Sequence, residues 1–260
     1  MARPVWNGVI TFGMVSIPVG LSTAVTEKDL SFNQLHTVCG SRIKQQKYCP
    51  VCDTVVESKD IQRGYEYSKG HYVVLEEKDL EELPVPSKQT ITVTAFVQAS
   101  SIDATYYDTS YYIDPSELGK KPFALLMKAL ETRGVCAIGK VALRSKESLC
   151  VIRLADGIPI METLYYPDEV KKPSDLKLDS VNVDERELKM ALSLVDLMTG
   201  EFAPGEHNDV YREKLLERIE SKIAGQEFTV APVAQPTQVL DLMEALKASL
   251  AAAMDKKATG

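Results

Sequence analysis

The chain has one tryptophan, three histidines, and no apolar run near the roughly 20 residues that span a bilayer. It contains no G-x-x-x-x-G-K-[ST], G-x-G-x-x-G, G-x-S-x-G or H-E-x-x-H, so the usual phosphate-loop, dinucleotide, hydrolase and zincin chemistries lack their signatures. An enzyme is therefore disfavoured. His71 and His207 stand alone, and an isolated histidine is more often structural than catalytic. Basic residues are outnumbered, 30 against 37 acidic, giving a net charge of −7 that on totals argues against a nucleic-acid partner. Cysteines number five, and an odd count points to thiols or metal ligands rather than a disulfide framework. The apolar run Val9 to Val19 is broken by Gly13, Ser16 and Pro18 and reads as a strand rather than a secretory signal, which predicts a cytosolic chain.

What is present is an ordinary globular composition, 45% hydrophobic and 26% charged over 260 residues, with an uneven distribution of charge. Met1 to Gly119 has 10 basic and 15 acidic residues, and Leu154 to Gly260 has 12 and 20. Between them, Lys120 to Arg153 has 8 basic residues and only Glu131 and Glu147 against them, a net of +6. A second basic stretch, His36 to Cys49, holds Arg42, Lys44 and Lys47 with no carboxylate. A partner feels local charge, so two such stretches in an acidic chain reopen the question of a polyanion. Solvated faces balanced elsewhere are the alternative.

The first two thirds read as strands: Val9–Val19, His71–Glu76, Thr90–Val97, Tyr106–Ile113, Cys136–Arg144, Ser148–Leu154 and Ile160–Tyr166. In Thr90–Ala95, apolar Ile91, Val93 and Ala95 alternate with threonines, which predicts one buried face. A helix of about three turns is predicted from Pro122, with Leu126, Met127 and Leu130 at helical spacing and Gly134 as its stop. In the last third the period switches to that of helices. Asp184 caps a stripe of Leu188, Leu192, Val195 and Met198; Asn208 or Asp209 caps a second, of Tyr211, Leu215, Ile219 and Ile223, ended by Gly225. Thr229 to Pro236 reads as an extended linker before a final helix with Val239, Leu242, Met243, Leu246 and Leu250 on one face.

His36-x2-Cys39 and Cys49-x2-Cys52 are two short pairs separated by nine residues. Each pair can grip one edge of a tetrahedral ion, so the spacing predicts a closed structural zinc site that would stiffen the loop bearing Arg42, Lys44 and Lys47. Four unrelated side chains near a turn, or a dithiol, remain alternatives; Cys49 and Cys52 do not open a clear helix that would depress a thiol pKa. Cys136 and Cys150 lie in strands and are expected to be buried apolar thiols. The tyrosine pairs Tyr106/Tyr107, Tyr111/Tyr112 and Tyr165/Tyr166 are expected mainly in the core, with base stacking as the alternative. Lys120 and Lys121 sit at a helix N-terminus, where added positive charge is unfavourable unless an anion such as phosphate is near.

Trp6-Asn-Gly-Val-Ile-Thr-Phe-Gly-Met-Val-Ser-Ile-Pro-Val resembles the opening of prokaryotic Ku. So, in family order, do Glu27-Lys-Asp-Leu-Ser-Phe, Gln34-Leu-His, Ile61-Gln-Arg-Gly-Tyr-Glu-Tyr, Tyr72-Val-Val-Leu-Glu-Glu-Lys-Asp-Leu, Tyr112-Ile-Asp-Pro, Ala124-Leu-Leu-Met-Lys-Ala-Leu, Arg144-Ser-Lys-Glu-Ser-Leu and Tyr166-Pro-Asp-Glu-Val. The resemblance implies a mixed α+β fold, a SPOC-like Ku β-barrel core with a helical C-terminal arm. It also implies a homodimeric ring on double-stranded DNA ends in non-homologous end joining, and recruitment of the end-joining ligase. The expected divisions are a barrel core with its DNA-encircling bridge over 1–180, a helical arm over 181–228, and a linker with a last helix over 229–260. Two departures are notable: Asn7 stands where a lysine is expected in relatives, and the lysine-rich tail of some relatives is not seen before Gly260.

A ring that loads on any end must contact phosphates and ignore bases. Arg42, Lys44, Lys47, Lys120, Lys121, Lys128, Lys140, Arg144, Lys146 and Arg153 are the expected pool of phosphate contacts, with Lys140, Arg144 and Lys146 on one face if they share a regular strand. Val239, Leu242, Leu246 and Leu250 are the expected ligase-docking positions, with packing on their own subunit as the alternative. A zinc-ribbon interaction module without DNA, and a dithiol enzyme, are the competing functions. The expected location is the cytoplasm, with the nucleoid.

Overall fold

The computed structural model describes residues 4–76, 78–79, 89–143, 146–171, 182–225 and 242–259, and clusters into two units, 1–173 and 174–260. In the first unit, strands β1 (Trp6–Phe12), β2 (Val15–Thr23), β3 (Tyr48–Cys49), β4 (Thr54–Val55), β5 (Arg63–Ser68), β6 (His71–Leu75), β7 (Thr90–Gln98), β8 (Tyr107–Pro115), β9 (Val135–Leu143), β10 (Lys146–Ala155) and β11 (Ile158–Leu164) follow one another in the chain. Helix α1 (Lys120–Arg133) lies between β8 and β9. Seven of the strands close into a barrel in the order β1-β2-β8-β11-β10-β9-β7, while β3-β4 and β5-β6 are separate two-stranded hairpins.

The long apolar run at the N-terminus is two strands rather than the single one expected. Gly13, at φ +57°, and Met14 form the two-residue turn of a hairpin in which Trp6 to Phe12 pairs with Val15 to Leu21. Glycine at the first turn position supplies the positive φ that matches the twist of the flanking strands. Asp156 and Gly157, both at positive φ, make the equivalent turn between β10 and β11. The alternation in β7 holds at Ile91 and Val93, then a bulge between Val93 and Ala95 re-aims the strand and leaves Ala95 exposed.

Inside the barrel Ile10, Ile17, Leu21, Ile91, Val141, Ile152 and Met161 are essentially inaccessible. Phe123, Leu126, Met127 and Leu130, one stripe of α1, join the same core. The predicted helix is therefore confirmed, with Gly134 at its C-terminal end. Cys136 and Cys150 are buried as expected, and burial pushes the Cys150 thiol up to about 12. A second cluster, Cys136, Val151 and Leu164, is flanked by Tyr106 and Tyr107.

The second unit holds α2 (Glu185–Met198), α3 (Val210–Ile223) and α4 (Leu242–Thr259). Asp184 accepts from Arg186 N at 2.8 Å and Asp209 accepts from Arg212 N at 2.9 Å, so both predicted caps form. α2 packs against α4. The linker residues 229–236 and Val239 lie outside the described residues. Among the described residues, no helix is long and apolar enough to cross a membrane.

Candidate nucleic-acid interface

Both basic stretches belong to the barrel unit. The +6 segment is spread over α1, β9 and β10. Lys140 and Lys146 do not share a strand: the chain reverses between β9 and β10, Lys146 pairs with Leu143, and Lys140 pairs with Leu149. The single-strand alternation argument therefore does not apply to them. Arg144 lies outside the described residues.

The cations divide by what they touch. Lys120 Nζ meets Glu117 Oε1 at 2.6 Å, Lys128 meets Glu131 at 2.8 Å, Lys140 meets Glu147 at 2.7 Å, and Lys146 meets Glu169 at 3.3 Å. These lysines are well exposed, and exposed pairs contribute only about 0–1 kcal/mol, so a phosphate can replace the carboxylate. The hydrogen bond that Lys128 donates to the Glu131 carboxylate holds Lys128 above its ordinary pKa, and Glu147 does the same for Lys140. Arg153 is different in kind. Its Nε donates to Glu162 Oε2 at 2.6 Å and its Nη2 to Oε1 at 3.0 Å, while Ser110 Oγ also donates to Oε1 at 3.2 Å. The Glu162 side chain is 10% exposed and that of Arg153 30%. This bidentate pair joins β10 to β11, and the Arg153 guanidinium also lies 6.0 Å from the centroid of the Tyr107 ring. Arg153 is committed to the fold.

Four pool members pair with no carboxylate among the described residues: Arg42, Lys44, Lys47 and Lys121. Lys121 stands in the first turn of α1, whose N-cap Gly119 offers no side-chain hydrogen bond. The other three lie on a loop organised by backbone hydrogen bonds, His36 N to Ser41 O at 2.9 Å and Ile43 N to Gln34 O at 2.9 Å. All three are exposed.

The cysteine pairs form locally, one at each end of that loop. His36 Nδ1 lies 3.1 Å from Cys39 Sγ, and hydrogen bonds from Ser41, then His36, lower the Cys39 thiol to about 7. Cys49 and Cys52 engage each other across the β3-β4 hairpin, which lowers the first thiol, led by backbone hydrogen bonds, and raises the second. The expected four-ligand zinc centre of His36, Cys39, Cys49 and Cys52 is not assembled. Among the described residues no three histidine, cysteine or acidic side chains converge on one point, because each pair is satisfied by its own turn.

Core packing, the main expectation for the paired tyrosines, holds for three of the six, while Tyr112 and Tyr165 are 42% exposed. Tyr106, Tyr107 and Tyr111 pack against the two cores. Among the described tyrosines of the barrel unit, the most exposed are Tyr65 and Tyr67 of β5 and Tyr72 of β6, each more than 60% accessible. Every residue of this hairpin is exposed. The alternation of Tyr65 and Tyr67 ahead of the Lys69-Gly70 turn was the signal that marks β5.

Comparison with known proteins gives one answer. The Ku70/Ku80 beta-barrel domain family matches residues 11–190. A Non-homologous end joining protein Ku of Symbiobacterium thermophilum is 42% identical over 98% of the chain and 64% of its own length. Proteins of the same name from Desulfitobacterium hafniense and Bacillus subtilis are 40% and 36% identical, covering 97% and 94% of the chain and 89% and 80% of their own lengths. The chain thus spans just under two thirds of the first relative and most of the other two.

Proposed function

Because the chain belongs to the Ku family, we propose that it binds double-stranded DNA ends without reading sequence, as a homodimeric ring, in non-homologous end joining. The observation that carries this reading is the near-full-length match to end-joining Ku proteins. The charge agrees with it: the chain has a net charge of −7, yet 11 of its 30 basic residues fall in two stretches of the barrel unit that hold only two carboxylates. Phosphate contacts of this kind position a protein on duplex without carrying base information. Ku proteins are scaffolds, and the chemistry of joining falls to a partner.

Arg42, Lys44, Lys47 and Lys121 are the primary phosphate contacts in this reading, Lys120, Lys128, Lys140 and Lys146 the exchangeable ones, and Arg153 a structural residue. The ligase is the proposed partner of the last helix, through Leu242, Leu246 and Leu250 together with Val239, and that helix also packs against α2 in the same unit. The test of the ring is a gel shift on linear and covalently closed duplexes of equal length. The linear form alone is shifted at moderate salt; equal affinity for both forms refutes threading.

A further inference from the structure

The DNA-binding reading leaves the cysteine motif unused, and the second half of that motif is built to bring two sulfurs together. Tyr48 and Cys49 of β3 pair with Val55 and Thr54 of β4, and residues 50–53 turn the chain between them. Asp53, at φ +52°, accepts a hydrogen bond from the Tyr48 hydroxyl, and Val56 N donates to Lys47 O at 2.8 Å, so neither thiol is needed to hold the turn. Within it the Val51 and Cys52 amides donate to the Cys49 sulfur, and the Cys52 thiol donates to the same atom. Cys52 is exposed and Cys49 half-buried.

This arrangement does not select a structural metal, which takes four converging ligands. Among the described residues no third histidine, cysteine or acidic side chain joins Cys49 and Cys52, and Cys39 is engaged by Ser41 and His36 instead. Two thiols already in contact are the reduced half of a disulfide, and their sulfurs need only close to about 2.05 Å. Their roles differ. Cys49, with three donors on its sulfur, supplies the attacking thiolate, and Cys52, hydrogen-bonded to it, is placed to resolve the product. Such a bond closes a ring of only four residues. It therefore gains little from constraining the unfolded chain, which favours ready reduction. Cys136 and Cys150 are buried and do not compete for an oxidant.

We infer that Cys49 and Cys52 are a reversible dithiol–disulfide couple, oxidised by a low-molecular-weight disulfide of the glutathione class. The Cys49 thiolate attacks one sulfur of that disulfide, forming a mixed disulfide and releasing one small thiolate. Cys52 then attacks the Cys49 sulfur, the Cys49–Cys52 bond forms, and the second small thiolate leaves. The two protons given up by the cysteines end on the two small thiols. Two electrons pass from the pair to the small disulfide, and excess small thiol runs the sequence backwards. The couple stands at the end of the loop that bears Lys44 and Lys47 and fastens the hairpin that follows it. Its chemistry does not depend on whether those cations meet DNA.

The test equilibrates the full-length protein, reduced and then freed of reductant under nitrogen, with oxidised and reduced glutathione at several ratios. Acid quenching, alkylation and peptide mass spectrometry then read each cysteine. A Cys49–Cys52 disulfide forms as the oxidised share rises and disappears in excess reduced glutathione. Cys52→Ser stops at a mixed disulfide between Cys49 and glutathione, and Cys49→Ser slows modification of Cys52 about tenfold or more. Both variants keep the β3-β4 ladder and the Tyr48–Asp53 contact, which thermal melts check; the wild-type titration decides by itself if a variant fails to fold. A pair that stays reduced in oxidised glutathione overturns the inference, as does a disulfide joining Cys39 to either member, or a mixed disulfide that gathers on Cys52 rather than on Cys49. About one zinc per chain in the untreated protein, shielding the pair until a chelator is added, overturns it equally.

Discussion

The division of cations into free and committed ones predicts how salt acts on end binding. Each phosphate neutralised by a protein cation steepens the log–log dependence of affinity on salt by about 0.9. Arg42, Lys44 and Lys47 are exposed on one loop and pair with no carboxylate among the described residues. In a twofold ring, replacing all three by alanine removes six contacts, so the slope flattens by about 5. Between about 50 and 200 mM salt, a fourfold change, that difference is a factor of about 10³ in how much affinity is lost. Arg153→Ala removes an equal charge from each subunit but one already neutralised by Glu162, and leaves the slope unchanged. The assay is fluorescence anisotropy of an end-labelled duplex titrated at several KCl concentrations. The difference between variants is the quantity to read, since the exchangeable lysines add a common steepness to all of them. A triple variant with the wild-type slope, or an Arg153→Ala variant flattened as much as Lys121→Ala, refutes the reasoning.

Three further outcomes are expected. Arg153→Met leaves the Glu162 carboxylate, whose side chain is 10% exposed, without its cation and lowers stability by about 1–3 kcal/mol, less than the roughly 3–5 kcal/mol of a fully buried pair because Arg153 is itself partly wet; urea unfolding measures it, and an unchanged midpoint contradicts the role given to the pair. Cys39, with its thiol at about 7, is alkylated by iodoacetamide at a rate that climbs through pH 7, while Cys150, pushed up to about 12, stays unmodified in the folded protein; mass spectrometry of the labelled peptides decides, and a Cys39 profile centred near the ordinary thiol value contradicts the Ser41 and His36 hydrogen bonds. Deleting Thr237 to Gly260 leaves duplex affinity intact and reduces ligase stimulation in a joining assay; loss of both together favours packing of that helix on its own subunit.

Local features were legible in the sequence. Pro122 in the first turn and Gly134 just past the end mark α1, Asp184 and Asp209 cap α2 and α3, and Ile91 and Val93 declare the inward face of β7. Each depends on residues within a turn or two of one another. What was not legible depends on pairing across the chain. Lys140 finds Glu147 because β9 and β10 form a hairpin, and Lys146 finds Glu169 some 23 positions away. Charge counting treats these as free cations, so it overstated the pool. The split of the N-terminal run needed the hairpin register, not composition. Of the β5-β6 hairpin, β6 was legible as the run His71–Glu76, whereas β5 was missed because it buries neither face within this chain, so burial periodicity had nothing to report.

The barrel closes between β1 and β7 along only three parallel residue pairs, Val9 with Thr90, Ile10 with Ile91 and Thr11 with Thr92. The β1-β2 and β10-β11 hairpins each have seven antiparallel pairs. Parallel ladders are also slightly weaker per residue. This is the zip of the molecule. It joins the first strand of the barrel to one 81 residues later, and the sheet it closes needs β11 as well, so an emerging chain holds β1 and its hairpin partner waiting until Leu164 has been made. In the finished protein it is the line along which the cylinder can part into an open sheet while every hairpin stays intact, giving local opening its least expensive route.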